Sequence, residues 1–437
     1  MIGWSLFNAY FALFLTQVSG SQLSGAGFLI DFVMLLSCLL QLMVGSLLLR
    51  LPIRLPVAGS LLGIFATWGA ATTLFANGDF GRSLYAPIQY YVVWGFFAIF
   101  IYAAVEMGVN LAPSVRRFVV VPWIVMFAVS GFIGLLQMLG VGFALALSPS
   151  QAFGIVFRPT GLTDYTFLLG MQGVFGMALI GSRLIARDLK FWEWLTLGGF
   201  MLVVLIAQYR SLYYTGLLLM GIAVLFLQFR RDRAKAIGLG LLAVGLVVAL
   251  LVLFPAKFAY GLRGTEGDTA LQARYDSWQQ LKPVLATRPL TGIGADQNLM
   301  IGPNLANIDK YAGTVIDNFY RMVLICYGYT GGLFMIMTLT GLGLGIFMRY
   351  LGSTAPEVKL YTLAAGVVFL SLLGVSMTGN SFVYRQVGYS FAVLLALGTP
   401  SWKERKLIDP VSPMIALARS LARTPMRVLF PNLGRVR

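Results

Sequence analysis

Apolar residues run along this chain in long blocks, separated by short links that are polar or basic. The blocks fall at roughly 3–19, 26–48, 55–76, 87–107, 118–139, 166–182, 192–208, 212–229, 236–254, 318–348, 360–378 and 387–399. Most are about 17 to 24 residues long, enough for a helix to cross roughly 30 Å of hydrocarbon. The pattern predicts an all-α fold: a polytopic integral membrane protein of about 12 transmembrane helices. Residues 1–400 form a single membrane domain on this reading. The opening MIGWSLFNAYFALFLTQVSG has no basic region ahead of its apolar stretch and no small-x-small cleavage site, so it reads as a first span. No repeat of fixed period is evident.

Three stretches on one face depart from this plain stitching. GVGFALALSPSQAFGIVFRPTGLTDYT (140–166) is long and ends in a charged turn. AQYRSLYY, between the seventh and eighth spans, is so short that Arg210 stays close to the apolar region. Residues 255–317 form the largest loop, and within it GDTALQARYDSWQQLKPVLATRP reads as a short helix. Asp268 suits its N-cap, and Leu271, Tyr275, Trp278 and Leu285 recur at helical spacing on one face. Pro283 should kink it and Pro289 should end it. TGIGADQN then reads as a turn whose glycines allow positive φ or close backbone approach. Residues 401–437 form a basic tail interrupted by prolines; MIALARSLARTPMRVLF within it has the pattern of a short amphipathic helix on anionic headgroups.

Composition agrees with a membrane chain: 58% of the 437 residues are hydrophobic and 11% charged. The net charge of +16 would point to nucleic acid in a soluble protein. Here the larger share of the 32 Lys and Arg falls on the short-link face, at Arg50/Arg54, Arg116/Arg117, Arg183/Arg187/Lys190, Arg230/Arg231/Arg233/Lys235 and the tail. That is the positive-inside bias, which places both termini in the cytoplasm and leaves no case for a nucleic-acid partner. Elaboration on the opposite face places the function there.

Histidine is absent, which removes imidazole acid–base chemistry. Cys38 and Cys326 lack the spacing of a redox or metal pair. There is no GxxxxGK[ST] phosphate loop and no HExxH. The nearest acidic pair on the loop face, Glu266 and Asp268, sits in a glycine-rich turn, so no metal site and no cofactor are expected. The loop face does carry arginine: Arg158, Arg210, Arg263, Arg274, Arg288, Arg321 and Arg385, against the direction of the topological bias. Guanidinium stays charged and bonds phosphate oxygens in bidentate fashion, and it is costly near hydrocarbon unless an anion or water meets it. A ligand both lipid-like and pyrophosphate-bearing answers both needs. Headgroup contacts, or pairing with Asp79, Asp276 and Asp296, are the plainer account of any single arginine except Arg210, whose confinement to a very short link favours a ligand.

Four segments in order resemble the O-antigen ligase and Wzy-type polysaccharide polymerase superfamily: FRPTGLTDY, QYRSLYYTGLLL, ARYDSWQQLKPVLATRPLTGIGADQN and IDNFYRMVLICYGYTGGLF. The resemblance covers roughly residues 150 to 350 and implies a GT-C-like membrane enzyme with one large periplasmic loop containing short helices. It implies a metal-independent glycosyltransferase in the bacterial inner membrane, using a glycan on undecaprenyl pyrophosphate as donor. Matched by position, Arg210 and Arg274 correspond to arginines that bind the lipid pyrophosphate, and Arg158 to the arginine of the preceding turn. Pro289, Gly292 and Gly294 correspond to the turn after the loop helix, and Asp317–Asn318 stand where ligases have His–Asn. Asp317 is then the expected base, with Arg288, Asn318, Trp278 and Tyr275 as further substrate contacts. An N-cap for the following helix is the structural alternative for Asp317. With the ligase histidine missing, the resemblance favours a polymerase of repeat units for O-antigen or exopolysaccharide. It implies membrane lipids, a chain-length-regulating copolymerase and a flippase as partners. The other readings are ligase-type transfer of finished glycan to lipid or protein, and a transporter of lipid-linked sugars.

Overall fold

The computed structural model describes residues 1–17, 27–53, 55–77, 94–147, 152–153, 156–163, 165–186, 188–229, 232–253, 278–279, 282–283, 285–294, 318–377 and 385–405. Its elements are α1 (Ile2–Gln17), α2 (Gly27–Met43) running into a π-turn (Val44–Leu48), α3 (Val57–Asn77), α4 (Trp94–Leu111), α5 (Val115–Met138) and the short α6 (Gly142–Ala146). After a small hairpin come α7 (Thr166–Ala186), α8 (Phe191–Ile206), α9 (Arg210–Phe229), α10 (Arg233–Leu253), α11 (Phe319–Gly352), α12 (Pro356–Ser376), α13 (Arg385–Leu397) and α14 (Trp402–Arg405). Each apolar block of the sequence coincides with a helix. The hairpin departs from an all-α plan: β1 (Ala152–Phe153) pairs antiparallel with β2 (Val156–Phe157), Ala152 opposite Phe157.

Five segments are long and apolar enough to cross a membrane: Asp31–Leu48, Val115–Met138, Thr166–Ile185, Phe319–Gly352 and Pro356–Ser376. Six further apolar helices are shorter, among them Ile2–Leu15, Val57–Thr73 and Phe191–Ile206. This is an integral membrane protein by the length and hydropathy of its helices. Large apolar side chains on α10, such as Leu241, Val244 and Val248, are exposed, as a lipid-facing surface requires.

The bundle is centred on α7. Its span is 78% buried, against 28% for the apolar stretch of α11. Small residues make that enclosure possible. A Cβ on Gly173 would lie 3.0 Å from the Phe200 carbonyl oxygen, and one on Gly176 would lie 2.4 Å from the Phe200 ring, so α8 packs directly against this face. α12 covers another side of α7, and α4, α13 and α1 continue the layer outward. Polar side chains join α1, α2 and α4: Asn8 donates to Gln41 (2.6 Å), and Gln41 donates to Ser5 (2.6 Å) and to the Ala104 carbonyl (2.8 Å). Sequestered from water, such bonds hold helices together where apolar contact alone gives no preference over lipid.

The two ends of the bundle differ. At the end where α12 begins, Arg116 is 1% exposed and clasps the chain after α13. It donates to the Leu397 (3.1 Å) and Thr399 (2.7 Å) carbonyls and pairs with Glu404 (3.0 Å) and Glu357 (3.7 Å). Arg183–Glu193 and Lys235–Asp188 lie at this same end. Those residues singled out for chemistry that are described lie toward the opposite, loop end.

Candidate functional site

The segment that opens the loop end is the turn carrying Arg158. Gln137, near the end of α5 and 1% exposed, holds it from below. Its Oε1 accepts from the Thr160 (3.0 Å) and Gly161 (2.9 Å) amides, and its Nε2 donates to the Gly161 (3.0 Å) and Ala144 (3.1 Å) carbonyls. Ser130 accepts the Leu162 amide at 3.1 Å. Gly161 has φ +64, and a Cβ there would sit 2.6 Å from the Ser130 carbonyl oxygen. The fixed turn leaves Arg158 half-buried, with its charge acting on Tyr213 of α9.

α9 begins at Arg210, which puts that residue at a helix N-terminus on the loop end. The side chain of Arg210 lies outside the described residues. Its backbone is positioned by a short link that two neighbours pin. Thr166 donates its hydroxyl to the Ala207 carbonyl, and Tyr213 donates to the Leu205 carbonyl at 2.6 Å. Between them Gln208 adopts φ +53, a left-handed conformation that costs a non-glycine residue about 1 kcal/mol or more. Among the described residues neither the buried Gln208 Nε2 nor the buried Ser211 Oγ has a hydrogen-bond partner.

The second group lies at the start of α11. Asn318, rather than Asp317, is the N-cap: its Oδ1 accepts the Arg321 amide at 3.1 Å, and its Nδ2 donates to the Met377 carbonyl at 2.6 Å. The structural alternative for Asp317, that it caps this helix, is replaced by a cap at the next residue. The Asn318 side chain is the one that serves both the helix and its neighbour α12. The guanidinium of Arg321 stands 5.2 Å from the centre of the half-buried Trp278 ring, a cation–π contact between the loop and α11. Arg321 was only one of seven loop-face arginines by sequence; its partner is 43 positions away and cannot be seen from spacing.

The turn after the loop helix docks into a break in α11. Residues 285–287 are helical, Leu285 is buried, and Pro289 stands in the turn that follows. Gly292 and Gly294 have φ +67 and +78. The Ile293 amide donates to the Ile325 carbonyl (3.0 Å) and the Gly294 amide to the Cys326 carbonyl (2.8 Å). In return Tyr329 donates to the Pro289 carbonyl (2.8 Å) and Thr330 to Leu290 (3.4 Å). In an unbroken helix Tyr329 and Thr330 would donate to Ile325 and Cys326 themselves. The turn has therefore taken over both halves of two helical hydrogen bonds, and α11 is interrupted at Gly328 (φ 67, ψ −171). Trp68 of α3 donates to the Tyr327 carbonyl at 3.1 Å, satisfying a further acceptor at the break. The expected single span over 318–348 is a broken helix.

α12 joins the two groups. At its loop end Met377 and Leu373 accept from Asn318 and Tyr320 of α11, while a Cβ on Gly374 would lie 3.1 Å from Thr215 Oγ1 of α9. The starts of α9 and α11 thus meet at one end of α12, with Arg158 linked to them through Tyr213 and with Trp278 and the Gly292–Gly294 turn held on α11. Arg288 is exposed beside the turn. Arg274, Tyr275, Asp317 and the N-cap candidate Asp268 lie outside the described residues, as do Asp164, the Arg385 side chain and residues 406–437. Asp31, not singled out by sequence, is a buried carboxylate whose Oδ1 is 3.5 Å from the Tyr389 hydroxyl. Among the described residues no three His, Cys, Asp or Glu side chains are grouped to hold a metal ion.

An apolar cavity of about 100 Å³, partly open to the surroundings, lies between α3, α4, α11 and α13. Leu62, Phe65, Tyr102, Leu342 and Phe391 line it, and it reaches Phe319, the residue after Asn318.

Residues 196–336, about a third of the chain, match the family model described as O-Antigen ligase (Wzy_C). The match takes in α8, α9, α10, the loop and the first half of α11, and supports the O-antigen ligase and Wzy superfamily. Members of that family transfer glycosyl groups, and the family implies lipid-linked polysaccharide substrates. No curated protein matches the chain.

Proposed function

We propose that this protein polymerises lipid-linked oligosaccharide repeat units. It transfers glycan from an undecaprenyl-pyrophosphate donor to a sugar hydroxyl of another repeat unit at the periplasmic face of the bacterial inner membrane. The observation that carries the reading is that the loop end of α12 joins the start of α9, which begins at Arg210 and is acted on by Arg158, to the start of α11, which carries Asn318 and Arg321. Fixed cations there oppose the charge that develops on the departing pyrophosphate, and removal of a single such contact commonly costs about 10² to 10³ in rate. The α9 N-terminus adds its dipole in the same sense. The apolar cavity beginning at Phe319 supports a donor with a polyprenyl tail.

Asp317 is the proposed base for the acceptor hydroxyl, and Arg274 a second pyrophosphate ligand. Because Asn318 supplies the N-cap, the helix makes no demand on the Asp317 carboxylate. The reaction needs no metal in this proposal: the bond broken is anomeric carbon to phosphate oxygen, and the acceptor proton passes to the carboxylate. The chain crosses the membrane about twelve times with both termini cytoplasmic. Residues 255–317 form a periplasmic lid over the one membrane domain of residues 1–400, and a copolymerase and a flippase act beside it.

One observation favours a second reading. The matching family model is described as a ligase, so transfer of finished glycan to a separate acceptor is the alternative. The absence of histidine from the whole chain weighs toward polymerisation.

Reconstitution with the cognate undecaprenyl-pyrophosphate repeat unit tests both. A ladder of lengthening lipid-linked glycan, lost in Arg210→Ala and Arg274→Ala and reduced at least 10²-fold in Asp317→Asn, is the expected result. Transfer only to an added acceptor, with no ladder, would establish the ligase instead.

A further inference from the structure

Three features coincide within four residues at the start of α9. Gln208 holds left-handed backbone without being glycine. Its side chain is 7% exposed, and Nε2 has no partner among the described residues. Ser211, 8% exposed and on the first turn of a twenty-residue helix, has an Oγ in the same state. The conformation is imposed from outside: Thr166 and Tyr213 hold the carbonyls of Ala207 and Leu205, so the link cannot relax. A membrane protein that only needed to turn between two helices would place glycine or asparagine at position 208 and a small apolar residue at position 211. Here strain and two unsatisfied donors are retained together, flanking an arginine at a helix N-terminus. The Gln208 amide nitrogen can only donate and the Ser211 hydroxyl is able to donate, so an acceptor satisfies both, and at a helix N-terminus that begins with arginine the fitting acceptor is an anion.

We propose that Gln208 and Ser211 complete an anion site with Arg210, donating hydrogen bonds to the diphosphate oxygens of the polyprenyl-linked substrate. The inference rests on the donor reading above and adds two ligand-contacting residues to it. Arg210 supplies charge. Gln208 and Ser211 supply direction, each donating one hydrogen bond to a phosphate oxygen. Binding satisfies both groups at once, so part of the affinity for diphosphate comes from hydrogen bonds that the free protein leaves unmade.

The test is equilibrium binding by the full-length protein in lipid nanodiscs. The probes are undecaprenyl pyrophosphate and, as a headgroup-only arm, inorganic pyrophosphate. Gln208→Met and Ser211→Ala are each expected to raise Kd about 10-fold for both probes, the loss typical of a hydrogen bond to a charged group. Their melting temperatures without ligand should equal or exceed the wild type's, because an orphan donor has been removed from an apolar setting. That pairing separates ligand contact from a packing role, which would lower the melting temperature. Should Gln208→Met fail to fold, Gln208→Gly removes the same donor and suits the left-handed backbone.

Unchanged affinity in both variants, with Arg210→Ala still weakened, would overturn this inference and leave the donor reading standing. Weakening for the lipid probe alone would also overturn it, since the contacts would then not be to diphosphate. A wild-type protein that binds neither probe would remove the donor reading and this inference together.

Discussion

Gly292 and Gly328 lie backbone to backbone. A Cβ on Gly292 would stand 2.6 Å from the Gly328 nitrogen, and one on Gly328 would stand 2.7 Å from the Gly292 nitrogen. Both have φ +67, so each position is closed to L side chains by conformation as well as by space. This contact seats the loop in the break of α11. The turn that follows Arg288 is thereby fixed to α11, the helix that carries Arg321 and is capped by Asn318.

Gly328→Ala and Gly292→Ala should each unseat the turn, with the loss of about 2–4 kcal/mol expected of strained backbone plus overpacking. Thermal unfolding of the purified protein reads the loss, and limited proteolysis of residues 255–317 should become faster. A Gly328→Ala variant as stable and as protease-resistant as wild type would show that the clasp does not anchor the loop.

Trp278 and Arg321 should be energetically coupled. A double-mutant cycle with Trp278→Leu and Arg321→Met is expected to give about 1 kcal/mol, the usual size of a partly exposed cation–π pair. Additive effects would mean that the 5.2 Å approach contributes no energy and only records proximity.

Gln137 positions Arg158 without touching any ligand. Gln137→Leu removes the bonds that Gln137 makes to the Thr160 and Gly161 amides and to the Gly161 and Ala144 carbonyls, of which Ala144 keeps a second donor in the Leu147 amide, for an expected loss of about 2–4 kcal/mol. Glycan transfer should fall with it, because Arg158 is two residues from the released turn. Ser130→Ala breaks a single bond, to Leu162, and should cost about 1 kcal/mol. Equal effects for the two variants would contradict the assignment of Gln137 as the main support.

Acid should loosen the opposite end. Burial raises the pKa of the Glu404 carboxyl, but hydrogen bonds from Arg116 and Ser401 outweigh it and hold the group below its ordinary value of 4.5. A folded pKa below the unfolded one makes the carboxylate stabilising above 4.5, and the contribution disappears as pH falls through the depressed value. Glu404→Gln should therefore destabilise by about 2 kcal/mol at neutral pH, leaving the buried Arg116 guanidinium less compensated. The gap to wild type should close as pH drops below 4.5. A gap that stays constant with pH would show that the ion pair carries no stability.

Helix positions were legible from the sequence because hydrocarbon demands long apolar runs whatever their neighbours, so each of the twelve blocks declared itself locally. The turn was legible for a similar reason: Pro289, Gly292 and Gly294 restrict backbone in ways that depend on no distant residue. The proposal that the loop face carries the chemistry also starts from the sequence, since arginine placed against the topological bias requires an explanation. What the turn binds was not legible. The break at Gly328 exists only because another segment replaces its hydrogen bonds, and a helix pattern in isolation reads straight through it. The same holds for Arg321 over Trp278, for the N-cap at Asn318 and for the unmet donors of Gln208 and Ser211. Each is a relation between segments brought together by packing, and hydrophobic pattern carries no record of which side chains meet once the helices assemble.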